Sequence, residues 1–594
     1  MKEFFKYVGA TIVGIVLLSI AMSVLTLISF IGLISAQEKT TKVKDNTVMV
    51  LNLNTMITER AESQDLLSEI TGQAIGSTGL DDMLNAIRKA KENDKVKGIY
   101  IEAGILSADS YASLQAIRKA LTDFRESGKW IIAYGDIYTK GAYYLSSVAN
   151  KIYINPEGQI DWSGMVSEPV FYKDLLAKVG IKMQVAKVGS YKSMPEMYTA
   201  DKMSDANRAQ VTAYLHGIWN TIVNDVSKSR GISPRQLNLY ADSLITMAPT
   251  TDYLKYKMVD GIVYADSVKG IIKKQLKIES DKTINQLSVS AMLDAPEKTK
   301  EGDEKIAIYY AYGSVVSGVA GKFSQEHTIN SDMMCPDLEK LRNDDDVKAV
   351  VIRINSGGGS AYASEQIWHQ IELLKQKKPV VVSMGGMAAS GAYYISAPAN
   401  WIVAEPTTLT GSIGIFGLFP DASELLTQKL GIKFDHVMTN AHSDFGTSSR
   451  PFTAEEMAYL EQYIERGYKL FRKRVADGRK MSVDEVEKIA QGHVWIGTDA
   501  KRIKLVDQLG GLDDAVAKAA ELAKVKSYYT RVYPAKTSWL DQLLEESTGR
   551  NNYLDEQLKE VLGAYYEPFI LMRQMEHLEL DAVQARIPFE PNIK

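Results

Sequence analysis

From Val8 to Ile34 the chain runs for 27 residues without a charge, more than the about 20 apolar residues that span a bilayer as a helix. Beyond that run the pattern changes to short apolar segments separated by amphipathic ones. Lys305–Tyr312 and Val347–Ile354 are rich in Val, Ile and Tyr and read as buried strands. Ala363, Ile367, Ile371 and Leu374 recur at helical spacing and predict a helix from about Ala361 to Lys375. Pro379–Met384 predicts the next strand, Ala388–Ala397 a helix of small residues, and Trp401–Ala404 a further strand. Strands alternating with helices predict α/β layering around a parallel sheet.

The same unit occurs twice. Val96-Lys97-Gly98-Ile99-Tyr100-Ile101 is similar to Val347-Lys348-Ala349-Val350-Val351-Ile352 at an offset of 251. Gly141-Ala142-Tyr143-Tyr144-Leu145-Ser146 matches Gly391-Ala392-Tyr393-Tyr394-Ile395-Ser396 at an offset of 250, and Gly180-Ile181-Lys182 matches Gly431-Ile432-Lys433 at 251. Order and spacing persist across most of two halves, which marks a duplicated domain. The expected organisation is residues 1–7, a transmembrane helix over 8–34, a first repeat over 47–280 and a linker over 281–304. A second repeat over 305–526 and a helical tail over 527–594 follow, the tail with an amphipathic stretch at Leu554–Met575. The charged, apolar-poor Ala295–Glu304 forms the centre of the linker.

A cleaved signal peptide is the competing reading of the N-terminal run, since Ser35-Ala36 follows it. Signal-peptide apolar cores are usually about 7–15 residues, and Ile34 fits the small-residue cleavage pattern poorly. Lys2 and Lys6 precede the span while Lys39, Lys42 and Lys44 follow it, so charge alone does not orient it.

Composition narrows the chemistry. The 594 residues carry a net charge of −4, which offers no basic field for nucleic acid. Cys335 is the single cysteine, so no internal disulfide forms and a cysteine-ligated zinc or iron–sulfur site is disfavoured. No H-E-x-x-H pattern and no P-loop occur, and no metal or organic cofactor is expected.

Two segments carry candidate chemistry. Asn355-Ser356-Gly357-Gly358-Gly359-Ser360 follows a strand and precedes a helix. Glycine there lets backbone N–H groups approach a ligand, as an oxyanion hole requires; a plain strand-to-helix turn is the alternative. Met384-Gly385-Gly386-Met387-Ala388-Ala389-Ser390-Gly391 ends a strand and puts Ser390 in the first turn of a helix. A helix N-terminus suits developing negative charge, and a simple capping serine is the alternative.

The N-S-x-G-G pattern, the downstream A-A-S-G-x-Y and the following T-G-S-I-G together resemble the signal peptide peptidase A family in its long, duplicated form. That family belongs to the Clp-protease/crotonase group of folds. The resemblance implies two tandem domains of that fold and a serine peptidase with a Ser–Lys dyad. It implies that Ser390 is the nucleophile and that Lys192, in Val188-Gly189-Ser190-Tyr191-Lys192-Ser193, is its base. Ser412, in Thr410-Gly411-Ser412-Ile413-Gly414, matches a serine that hydrogen-bonds the dyad lysine, and Gly358 and Gly391 match the oxyanion donors. Gly357 stands where the family often has proline, which implies a looser turn.

The repeat tests this assignment independently. The first half has Lys140 at the position of Ser390 and Gly104-Ile105-Leu106 in place of the glycine turn. The second half has Ser443 at the position of Lys192. Each half lacks what the other keeps, so one composite site between them is expected, with no catalytic role for Lys140. The resemblance further implies a homotetramer at the bacterial inner membrane, single-pass, with residues 1–7 in the cytoplasm and the catalytic body in the periplasm. Its substrates would be hydrophobic peptides, such as signal peptides left in the membrane after secretion. A coenzyme-A-dependent crotonase-like enzyme and a non-catalytic membrane scaffold are the rival classes.

Overall fold

The computed structural model describes residues 41–61, 77–296, 302–318, 327–535 and 583–586, with the isolated positions Gly14, Leu18, Ser19 and Met22. The expected span over 8–34 lies outside the described residues apart from those four positions, and so does Leu554–Met575. Among the described residues no helix is long and apolar enough to cross a membrane.

The duplication read from the sequence is visible as two sheets of matching order. In the first, strands Thr47–Asn52, Val96–Glu102, Trp130–Tyr138 and Lys151–Ile160 pair in parallel, with Gln286–Leu287 and Gly261–Ile262 at the edges. In the second, Glu304–Tyr312, Val347–Ser356, Val380–Ala389 and Trp401–Ala404 pair in parallel, with Tyr528–Tyr533 and Gln508–Leu509 in the corresponding places. These strands read as near-continuous apolar runs because helices cover both faces of the sheet. Ile367, Ile371 and Leu374 of helix Ala361–Lys375 pack on Val350, Ile352 and Val382. Ala515 and Ala519 of helix Leu512–Ala523 pack on the opposite face, against Val351, Val381 and Val403.

Three boundaries differ from those expected. The stretch 281–304 is not wholly a linker: it holds strand Gln286–Leu287 and helix Val289–Leu293, with Met292 buried in the first core. Residues given to the start of a helical tail form the edge strand Tyr528–Tyr533, paired with Glu304–Tyr309. Both pieces are short edge elements whose outer side faces solvent, so their apolar pattern is weak. Strand Val380–Ala389 also runs past Met384, and the following helix begins only at Gly391.

The halves interlock. Strand Lys182–Val188, from the first repeat, pairs antiparallel with Ile415–Asp421 of the second, from Ile415 opposite Val188 to Asp421 opposite Lys182. In the other direction Met387, Ala389, Leu409, Val494 and Ile496 join the core of the first half. Helix Tyr111–Glu126 of the first half abuts the strand that leads to Ser390. A Cβ at Gly386 would stand 2.2 Å from Ser110 Cβ, so only glycine admits the approach. One turn further along the same helix, Gln115 Oε1 accepts from Thr407 N at 3.1 Å and Thr407 Oγ1 at 2.5 Å.

Candidate active site

Ser390 occupies the junction between strand Val380–Ala389 and helix Gly391–Ser396, and it is fully buried. Its backbone has φ 59° and ψ −117°, the conformation of the first central residue of a type II′ turn, where glycine is the usual occupant. A serine there costs on the order of 1–3 kcal/mol and persists only because its surroundings fix it. Ser390 N donates to Gly411 O at 2.8 Å, and Tyr394 N donates to Ser390 O at 2.8 Å. The side chain makes no capping bond to the helix.

Lys192 reaches this serine from the first half. After strand Lys182–Val188 has paired onto the second half, Gly189 turns the chain at φ 107° and Lys192 drops into the interior, 1% exposed. Lys192 Nζ lies 2.7 Å from Ser390 Oγ, 3.0 Å from Ser412 Oγ and 3.2 Å from Ser412 O. A neutral amine has two N–H donors and one lone pair. The two Ser412 oxygens accept the donors, which leaves the lone pair for the Ser390 hydroxyl. Burial drives the Lys192 pKa well below its ordinary value of 10.5, because an ammonium loses its hydration there.

The glycine turn lies beside the serine. Ser356 pairs with Ala388, two residues before Ser390, and strand Gly358–Ser360 neighbours helix Gly391–Ser396. Gly358 has φ 97°, and its N–H donates to Ser356 Oγ at 3.0 Å. Gly391 N is the first N–H of its helix, a position with no intrahelical acceptor. A further strand lies along the turn: Gly358, Gly359 and Ser360 pair antiparallel with Arg586, Ala585 and Gln584. The other edge of that strand pairs with Phe416 and Gly417, so an extended backbone runs between the glycine turn and strand Ile415–Asp421.

A serine and a buried lysine in contact, beside backbone N–H donors, form the layout of an acyl-transfer site. Comparison with known proteins gives the same class. The model for peptidase family S49 matches residues 123–279 and again 372–526. The Clp protease model matches residues 323–402. Protease 4 of Salmonella typhi is 38% identical over 84% of this chain and 82% of its own length. Protease 4 of Haemophilus influenzae is 33% identical over 84% and 83%. The chloroplastic serine protease SPPA of Arabidopsis thaliana is 32% identical over 74% and 64%.

The chain belongs to peptidase family S49. It is a serine protease built from two S49 domains in tandem. Among solved structures, a ClpP1 mutant from Listeria monocytogenes aligns at 16% identity and a TM-score of 0.23, covering 36% of this chain and 95% of that one.

Within the S49 frame the structure brings Ser390, Lys192 and Ser412 together and sets Gly358 and Gly391 beside them. Lys140 lies apart from them in the first half, where it pairs with Asp161 at 3.3 Å. Ser443 sits in an exposed turn, its Oγ accepting from Asn440 N at 3.1 Å. Residues that sequence reasoning did not find complete the seat of the lysine. A Cβ at Gly492 would stand 2.6 Å from Lys192 N, so this glycine lets the lysine backbone approach. Gln210 Nε2 donates to Tyr191 O at 3.1 Å and to Ser193 Oγ at 3.0 Å, while its Oε1 accepts from Val494 N at 3.1 Å. A glycine and a glutamine far from the motif carry no local pattern that could have revealed them. Among the described residues no group of three or more His, Cys, Asp or Glu side chains could hold a metal ion.

Proposed function

We propose that this serine protease cleaves peptides with Ser390 as nucleophile and Lys192 as general base, and that it works at a membrane on residual signal peptides. The observation that carries the reading is the 2.7 Å approach of Lys192 Nζ to Ser390 Oγ, both side chains buried. Lys192 takes the hydroxyl proton as Ser390 attacks the scissile carbonyl. The Gly391 N–H and the Gly358 N–H hold the oxyanion, the latter exchanging its bond to Ser356 Oγ for the new acceptor. Collapse of the tetrahedral species expels the amine, which takes the proton from Lys192. A water activated by the now neutral Lys192 then hydrolyses the acyl-enzyme, giving its proton to Lys192 and then to Ser390 as the acid leaves. Ser412 keeps the lysine side chain aimed through both steps.

The substrate class rests on two supports. The 27 uncharged residues from Val8 to Ile34 are long enough to anchor the body at a bilayer, where apolar peptides concentrate. One relative, from Enterococcus faecium, is named a putative signal peptide peptidase and is 29% identical over 49% of this chain. The full-length protein in detergent is expected to hydrolyse a fluorogenic peptide with an apolar signal-peptide stretch at least ~10-fold more efficiently, in kcat/KM, than a charged peptide of equal length; one methylene in an apolar pocket already counts for about 10-fold or more. Equal turnover of the two would remove the substrate assignment and leave the peptidase.

The same reading puts the N-terminal run across the inner membrane, residues 1–7 in the cytoplasm and the body in the periplasm as a homotetramer. Alkaline phosphatase fused after residue 594 is expected to be active in intact cells, since it matures only after export. An inactive phosphatase, together with a fluorescent cytoplasmic reporter at the same point, would reverse the orientation.

A further inference from the structure

Beneath the glycine turn, side chains of the first half meet the second half in a buried polar cluster. Asn355 is the last residue before Ser356-Gly357-Gly358. Both hydrogens of its side-chain amide go to first-half carboxylates, Nδ2 to Asp109 Oδ2 at 2.8 Å and to Glu59 Oε2 at 3.2 Å. Its Oδ1 accepts from Met387 N at 3.0 Å, three residues before Ser390. One side chain thus ties the strand entering the turn to the strand that carries the serine. Glu59 also takes Arg353, at 2.6 Å from Nε and 3.3 Å from Nη2, and Arg353 Nη1 donates to Ser383 Oγ and Met384 O. Asp109 is held in turn by Ser113 Oγ at 2.6 Å.

Two carboxylates facing one guanidinium make an expensive arrangement for a mere contact surface. Burial and the neighbouring Glu59 charge raise the Asp109 pKa to about 6. Gln115, in the helix that follows Asp109, contacts the second half with a neutral amide, so the interface itself does not demand buried acids. Gly385 gives way to Glu59: a Cβ there would stand 2.9 Å from Glu59 Oε2.

We propose that Asp109 and Glu59 of the first half are positioning residues for the oxyanion turn of the second, acting through the side-chain amide of Asn355. The proposal rests on the reading of Gly358 and Gly391 as oxyanion donors. On it, the first half supplies two things to the site, the base and the clamp that fixes the distance between turn and nucleophile. A charge-assisted bond to an amide is roughly twice as strong as a neutral one, and it holds Asn355 against the shift that an incoming oxyanion would impose.

The test compares steady-state kinetics and melting temperature in full-length protein. Asp109→Ala is expected to lower kcat by ~10- to 100-fold with KM within about twofold, below the 10²–10³-fold cost of losing an oxyanion donor outright. Asp109→Asn, nearly isosteric and still an acceptor, is expected to lower kcat by ~3- to 10-fold. Gln115→Ala removes a docking contact from the helix that follows Asp109 and is expected to lower the melting temperature while leaving kcat unchanged. A wild-type kcat in Asp109→Asn overturns the proposal, whether or not Asp109→Ala folds. An equal loss of kcat in Gln115→Ala also overturns it, since docking alone would then explain the effect. Ser390→Ala run alongside separates the two levels: activity there breaks the underlying dyad reading, whereas an inactive Ser390→Ala with a fully active Asp109→Asn breaks only the clamp.

Discussion

Ser390→Ala is expected to lower peptide hydrolysis by on the order of 10⁶-fold, the size of loss seen when the nucleophile of a serine protease is removed, with no loss of fold. The backbone bonds of Ser390 run through its N–H and carbonyl to Gly411 and Tyr394, and alanine keeps both. The strained φ of 59° remains whichever of the two residues is present, so melting temperature and circular dichroism should change little. What disappears is the oxygen 2.7 Å from Lys192 Nζ. Fluorogenic peptide assays on the purified variant measure this directly. Undiminished turnover would require another nucleophile and would discard the assignment of Ser390.

Lys192→Ala is expected to cost about 10²–10⁴-fold in rate, the usual contribution of a general base. Lys192→Arg should not restore it, because a guanidinium stays charged at any workable pH and cannot accept a proton. Activity of the unaltered protein should rise with pH through the lowered lysine pKa and level off above it. The sign follows from the base: below that pKa the ammonium has no lone pair for the serine proton. The same shift bears on stability. Between the lowered pKa and 10.5 the unfolded chain holds a proton on this lysine that the folded chain does not, so stability should climb with pH across that window. Rate profiles with wild-type and Lys192→Arg protein give the answer, and full activity of the arginine variant would falsify the dyad.

Much of this architecture was legible in the sequence because it is written in local pattern. Helix Ala361–Lys375 shows its apolar stripe at helical spacing, and the strands beginning at Val347 and Trp401 are short β-branched or aromatic runs. Duplication made the complementary losses readable: Lys140 for Ser390 in one half, Ser443 for Lys192 in the other. Ser390 itself was expected inside the first turn of a helix and stands instead before it, at positive φ. Nothing in a run of small residues distinguishes those two conformations. The antiparallel pairing of Lys182–Val188 with Ile415–Asp421 joins segments over two hundred residues apart, and no periodicity reports a partner at that range. Glu59 and Asp109 look like surface acids by type, and only the docked halves reveal them as neighbours of Asn355. Edge strand Tyr528–Tyr533 carries no such signal, because half of an edge strand faces water and its alternation blurs.

The division of Lys192 and Ser390 between two repeats, 198 residues apart in the chain, has a consequence for when the protease becomes dangerous. A lysine on an undocked first half is hydrated, charged and useless as a base, while the serine of an undocked second half has no proton acceptor. Reactivity on the proposed dyad therefore requires the halves to be docked, with strand Lys182–Val188 paired to its partner and the lysine buried. Many proteases guard their makers with a propeptide that must later be cut away. On the proposed dyad, docking of the two halves would itself act as the switch that a propeptide provides elsewhere.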